Sequence, residues 1–109
     1  MNCNLIMQGD ELYIPFIIKY NNEYLKIEEV ERIQFSVGEL IKYYNRTNPE
    51  EVTYDEETHQ FRFPITQEES FEFSGSLKCQ VRIKFTSGDI RGRVLGDIEV
   101  QNSENREVL

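Results

Sequence analysis

Period-2 alternation of apolar and polar side chains recurs along the chain, broken by clusters of turn-forming residues. Leu5 to Met7 predicts a short opening strand, closed by Gln8-Gly9-Asp10. Leu12, Ile14, Phe16, Ile18 and Tyr20 then alternate strictly and predict one half-buried strand, whose other face reads Tyr13, Pro15, Ile17 and Lys19. Pro15 donates no backbone hydrogen bond, so this strand belongs at a sheet edge or turns that position outward. Asn21-Asn22-Glu23 supplies the next turn. Ile33, Phe35 and Val37 alternate with Arg32, Gln34 and Ser36 until Gly38 breaks the run. Leu40 to Tyr44 reads as another strand, and Asn45-Arg46-Thr47-Asn48-Pro49 as a loop.

In the second half, Val52 to Tyr54 and Phe61 to Phe63 predict a hairpin across residues 55–60. Thr66-Gln67-Glu68-Glu69 fits a capping box, in which Thr66 accepts from the Glu69 amide while the Glu69 side chain reaches back to the Thr66 amide. Strand signals on both sides limit it to a single helical turn, at the corner where the chain crosses between sheets. Leu77, Cys79, Val81, Ile83 and Phe85 then face inward, with Lys78, Gln80, Arg82 and Lys84 outward. Thr86-Ser87-Gly88-Asp89 turns the chain. The final strand is expected to send Ile90, Val94, Ile98 and Val100 inward, with Gly92 and Gly96 between them. Seven or eight short strands in some 100 residues predict an all-β fold, an immunoglobulin-like antiparallel β-sandwich with one helical turn. The domain is expected to span residues 1–101, followed by a polar tail over 102–109.

Composition agrees with this pattern and narrows the function. Alanine is absent and Val, Ile, Thr, Phe and Tyr dominate the apolar positions, which disfavours a helical bundle. The chain has 109 residues, enough for one core without a metal or disulfide staple. Twelve basic residues stand against 20 acidic ones, net −8, with both halves acidic. That balance disfavours nucleic acid, whose binding needs clustered cations, and anionic membranes. No signal peptide or membrane span is read in the sequence, and a cytoplasmic origin is expected. Cys3 and Cys79 lack metal-ligand spacing and are expected to be free thiols, Cys79 as a small buried hydrophobe.

The chemical candidates are few. His59, the one histidine, sits in a hairpin loop among carboxylates and reads as an exposed turn residue rather than an oriented base. Glu50, Glu51, Asp55, Glu56 and Glu57 lack the DxDxDG pattern of a calcium loop and read as a solvated charge cluster. Glu68 and Glu69 are adjacent, and capping already employs Glu69, so a glycosidase pair is unsupported. No enzyme activity, metal or cofactor is expected. Tyr13, Tyr24, Tyr43 and Tyr44 offer rings for stacking on sugars, which makes a carbohydrate-binding module the second reading.

Three segments carry a resemblance. Gln8-Gly9-Asp10 before a hydrophobic strand, Phe63-Pro64-Ile65-Thr66-Gln67-Glu68-Glu69-Ser70-Phe71, and Gln80-Val81-Arg82-Ile83-Lys84-Phe85 resemble small prophage-encoded structural proteins of Gram-positive bacteria. These are tail and baseplate components. The opening strand is also similar to the immunoglobulin-like N-terminal module of phage baseplate upper proteins. The similarity runs from about Leu5 to Val100 and rests on turns and strand faces. It implies a non-enzymatic virion or tail-tip building block, made in the bacterial host cytoplasm. Its partners would be other phage structural proteins or copies of itself, in a multi-copy assembly. No catalytic residue is carried over.

Two surfaces follow as partner-binding candidates. Tyr13, Pro15 and Ile17 form an apolar stripe opposite the core-facing side of their strand. A turn of two or four residues around Ser87-Gly88 would set Phe85 opposite Ile90. Lys84 would then meet Arg91, Arg82 would meet Arg93, and Lys78 would meet Asp97. This gathers Arg82, Lys84, Arg91 and Arg93 on one outward sheet face, either as a docking ridge or neutralised by neighbouring glutamates.

Overall fold

The computed structural model describes residues 4–101; the expectations for Cys3 and for the tail over 102–109 lie outside the described residues. The strands are β1 (Asn4–Met7), β2 (Leu12–Phe16), β3 (Lys19–Tyr20), β4 (Glu23–Tyr24), β5 (Val30–Val37) and β6 (Leu40–Asn45), then β7 (Thr53–Asp55), β8 (Gln60–Ile65), β9 (Gly75–Phe85) and β10 (Ile90–Gln101). A turn of α-helix, α1 (Gln67–Phe71), lies between β8 and β9, and a 3-10 turn over Ile27–Glu29, which the sequence pattern did not predict, leads into β5. A five-stranded sheet in the order β1-β10-β9-β5-β6 packs against a three-stranded sheet, β2-β8-β7, and β3 and β4 form a separate hairpin. The fold is an all-β sandwich.

The core lies between the two sheets, where alternation placed it. Ile33, Phe35 and Val37 of β5 and Cys79, Val81 and Ile83 of β9 meet Ile14 and Phe16 of β2 and Phe61, Phe63 and Ile65 of β8. Phe16 stacks on Phe35 at 5.7 Å between ring centroids, and Phe35 meets Phe61 at 5.5 Å. Such ring pairs add to the burial of area that holds the sheets together. Pro15 lies on β2, which has a single partner strand, so the missing donor interrupts no central ladder.

The run from Leu12 to Tyr20 keeps its inward face but is not one strand. It pairs with β8 only as far as Phe16 and then bends through Ile17 and Ile18. The Ile18 carbonyl leaves the ladder to accept from the Leu25 amide at 2.9 Å. The side chain of Ile18 remains buried, so periodicity read the face correctly and the continuity incorrectly. The turn beyond is a two-residue one: Asn21 and Asn22 adopt φ 52° and 64°, the left-handed pair of a type I′ hairpin turn.

The capping box forms as expected. Thr66 Oγ1 accepts from the Glu69 amide at 3.2 Å, and the Glu69 carboxylate accepts from the Thr66 amide at 2.9 Å. The turn of helix carries the chain from the three-stranded to the five-stranded sheet.

The β9–β10 hairpin departs from the expected register. The Gly88 amide donates to the Phe85 carbonyl, and Gly88 takes φ 97°, as in a three-residue loop closed by a glycine bulge. An odd loop shifts pairing by one residue, so Ile90 lies opposite Lys84, Arg91 opposite Ile83 and Arg93 opposite Val81. One residue of slip exchanges the faces of a strand. Ile90 and Val94 therefore point outward and are 61% and 62% exposed, contrary to the expectation. A second irregularity between Val94 and Gly96 restores the original register, so Lys78 meets Asp97 and Ile98 is buried as expected.

Candidate functional site

Two of the three segments that carry the resemblance come together in space, while Gln80 to Phe85 lies within β9. The turn after β1 is clasped by α1 across about 60 residues of chain: the Gly9 amide donates to Ser70 Oγ at 2.9 Å, and Gln67 Nε2 donates to the Gly9 carbonyl at 3.0 Å. Gln8 Nε2 donates to the Phe73 carbonyl at 2.7 Å, and Ser70 Oγ donates to the Gln67 carbonyl at 2.9 Å. Gly9, at φ 96°, holds a conformation that strains any other residue, and a Cβ there would lie 3.1 Å from the Phe71 ring, which would have to give way slightly. Both motifs thus describe one clasp that fixes the first strand to the corner between the sheets. Their side chains serve the scaffold.

Beside the clasp lies a polar group that alternation did not single out. In β6, Lys42 pairs opposite Phe35 and points into the sandwich, whereas Ile41, opposite Ser36, points out. Lys42 is 8% exposed. Its ammonium donates to the Pro64 carbonyl at 2.7 Å and to Glu69 Oε1 at 2.8 Å. One carboxylate therefore both caps α1 and neutralises a buried cation. Burial pushes the Glu69 carboxyl up, but hydrogen bonds from Lys42 and the Thr66 amide outweigh it and hold the group below its ordinary range. A lone Lys inside the apolar run Leu40 to Tyr44 was the available signal.

A surface depression of about 530 Å³ opens nearby between Gly38, Leu40, Glu69, Glu72, Phe73 and Leu77. Glu69 is already engaged there, and the single histidine lies elsewhere. His59 lies in the turn as expected, but it is half-buried rather than exposed. It stacks on Tyr24 at 4.0 Å and 7°, and its Nδ1 lies 3.3 Å from the Tyr54 hydroxyl, tying the β3–β4 hairpin to the β7–β8 hairpin. The acidic stretch around β7 is dispersed. Glu50 forms a two-point pair with Arg32, and Asp55 accepts from Arg62 and from the Glu57 amide. Among the described residues, no group of three or more His, Cys, Asp or Glu side chains is arranged to hold a metal ion. Cys79 is buried, and burial raises its thiol to about 11.

The four candidate tyrosines are largely engaged. Arg62 lies over Tyr13, Lys19 and His59 lie against Tyr24, Arg32 covers Tyr43 at 3.9 Å, and Tyr44 packs on Tyr54 and Phe61.

The two partner-binding surfaces fare differently. Tyr13 and Ile17 are 48% and 44% exposed and Pro15 is half-buried, with Tyr13 and Pro15 on β2 of the smaller sheet and Ile17 in the bend beyond it. The basic ridge does not form. Arg82 and Lys84 lie on the outer face of the large sheet, across from Gly92 and Ile90, while the shifted register sends Arg91 and Arg93 to the opposite face. Lys84 pairs with Glu31 at 3.1 Å, and the Arg93 guanidinium rests 4.2 Å from the Tyr20 ring. The three-residue turn is the cause.

Comparison with protein-family models and with curated proteins finds no match to this chain.

Proposed function

We propose that this chain is a non-enzymatic structural protein of a phage or prophage, an immunoglobulin-like tail or baseplate component acting through protein–protein contacts. The observation that carries the reading is the clasp. Two of the three segments on which the resemblance rests, Gln8-Gly9-Asp10 and Phe63 to Phe71, meet at one corner through Gly9, Gln67 and Ser70, as expected of a motif that serves architecture. The polar groups that a sequence reader would examine for chemistry are spent on structure. Glu69 holds Lys42 and the helix cap, Ser70 holds Gly9, and His59 joins two hairpins. What remains available are surfaces, foremost the exposed stripe of Tyr13 and Ile17 beside Pro15.

The reading is tested in particles released from an induced lysogen that encodes the chain. Mass spectrometry of purified particles should find it in several copies per particle, and Tyr13→Ser/Ile17→Ser should reduce its incorporation. A chain that is expressed and folded yet absent from particles refutes the proposal. A carbohydrate-binding module is the weaker reading, because Tyr43 and Tyr44 are engaged by Arg32, Tyr54 and Phe61, and Tyr24 by Lys19 and His59, which leaves Tyr13 as the most open ring of the four. Saturable binding on a glycan array, lost in Tyr13→Ser, would reverse that order.

A further inference from the structure

We propose that the free edge of β10, from Ile90 to Val94, is a docking strand for a second copy of this chain, which it meets through the acidic stretch Glu50 to Glu57 around that copy's β7. The inference rests on the reading of the chain as a multi-copy assembly protein, and it supplies the geometry of one contact.

The edge is open. Strand β1 pairs with β10 only over Ile98 to Gln101, so among the described residues the first half of β10 has a neighbour on one side alone. All five residues from Ile90 to Val94 are exposed. The Phe85 amide donates to the Asp89 carbonyl, which sets the phase of the antiparallel ladder. By alternation, Arg91 and Arg93 turn their backbone groups toward β9. Ile90, Gly92 and Val94 turn their N–H and C=O groups away from it, toward the empty side. Neither a proline nor a bulge interrupts this stretch; the irregularity comes later, between Val94 and Gly96. What guards the edge is charge.

Charge also selects the occupant. The β9–β10 hairpin carries Lys78, Arg82, Lys84, Arg91 and Arg93 against Asp89, Asp97 and Glu99, a net positive arm on a chain of net −8. Arg91 and Arg93 share one face, roughly 7 Å apart at two residues' spacing. Neither is in an ion pair among the described residues, though Arg93 rests on the Tyr20 ring, which leaves its charge unneutralised. Two β10 edges brought together about Gly92 would set Arg91 against Arg93, which like charges oppose. An acidic segment is attracted instead. The same chain provides one: Glu51, Glu56 and Glu57 are exposed about β7, itself paired on one side only, to β8, while Glu50 and Asp55 are already held by Arg32 and Arg62. Arm and acidic stretch are different surfaces, so the contact is head-to-tail and builds a ring or an open row rather than a two-fold dimer.

Sedimentation velocity over a concentration series tests this on the isolated chain. The average mass should rise with concentration at about 0.05 M salt and fall back at about 0.5 M, where screening acts within a few ångströms. Arg91→Glu/Arg93→Glu and, separately, Glu56→Arg/Glu57→Arg should each weaken association about tenfold. An equimolar mixture of the two variants should restore it, because each interface then pairs opposite charges again. All four side chains are exposed, and because Arg93 also rests on the Tyr20 ring, each variant is first matched to the wild type in thermal unfolding, with Arg91→Glu alone carrying the test if the double variant is destabilised. A wild-type chain that stays monomeric throughout overturns the inference, as does a mixture that fails to recover. Loss of association on Arg82→Glu but not on Arg91→Glu/Arg93→Glu would move the contact to the outer sheet face and overturn it too. These readouts are independent of particle incorporation: a monomeric chain found in particles defeats only this contact, and an associating chain absent from particles defeats only the phage assignment.

Discussion

Glu69→Ala tests whether one carboxylate holds the corner of the sandwich. The substitution removes the acceptor for the Thr66 amide at 2.9 Å and the counter-ion 2.8 Å from Lys42 Nζ. The Lys42 side chain is 10% exposed and its Glu69 partner 28%, so the ammonium is left in a nearly dry site. Breaking a buried pair from one side costs roughly 3–5 kcal/mol. Water reaching the vacated position recovers part of this, so the expected loss is about 3 kcal/mol. Lys42→Met in the same chain removes the stranded charge while keeping an apolar stem of similar length. The Pro64 carbonyl then lacks its donor and the exposed Thr66 amide turns to water, together costing about 1–2 kcal/mol. The double variant should therefore be more stable than Glu69→Ala alone. Urea unfolding reads the difference: with a slope of about 2 kcal/mol per molar, the single variant should lose roughly 1.5 M of midpoint and the double about half as much. A double variant no more stable than Glu69→Ala would show that the ammonium is hydrated and that the buried pair does not hold the corner. The pH dependence has a definite sign. The folded Glu69 carboxyl lies below its ordinary value, so its contribution is present above the unfolded pKa and is lost as pH falls through the folded one. Glu69→Gln should flatten the acid limb of the stability curve.

Thr66→Ala, which removes the hydroxyl that accepts from the Glu69 amide, should cost about 1 kcal/mol; an unchanged denaturation midpoint would contradict the cap. Gly88→Ala forces a side chain into φ 97° and should cost about 1–2 kcal/mol by the same assay, whereas a neutral result would mean the three-residue turn is not what sets the β10 register. In a Cys3→Ser chain, Cys79 should resist a thiol reagent at pH 8 in the folded protein and react once urea unfolds it, because burial lifts its thiol to about 11. Ready modification of the native chain would place Cys79 outside the core.

Strand faces were legible wherever the sequence alternated and a turn residue marked the end. Ile33, Phe35 and Val37, or Cys79, Val81 and Ile83, are buried because side chains on a strand have a period of two and only one set is apolar. The cap at Thr66 was legible for a similar reason, since its chemistry lies within four consecutive residues.

What depended on partners distant in sequence, or on the parity of a loop, was decided by the tertiary structure. Lys42 points inward because Phe35 fixes its register and because Glu69 and Pro64, more than twenty residues away, satisfy its charge and protons. Gln8 and Gly9 show their role only when α1 lies against them. Arg91 and Arg93 changed face because a glycine bulge made the turn odd, and a one-residue slip exchanges faces without altering the pattern along the strand. Alternation thus determined which residues travel together on a face up to the irregularity in β10, which separates Ile90 and Val94 from Ile98. Long-range pairing decided which way that face points, and among the described residues left the first half of β10 with a neighbour on one side only, beside Arg91 and Arg93.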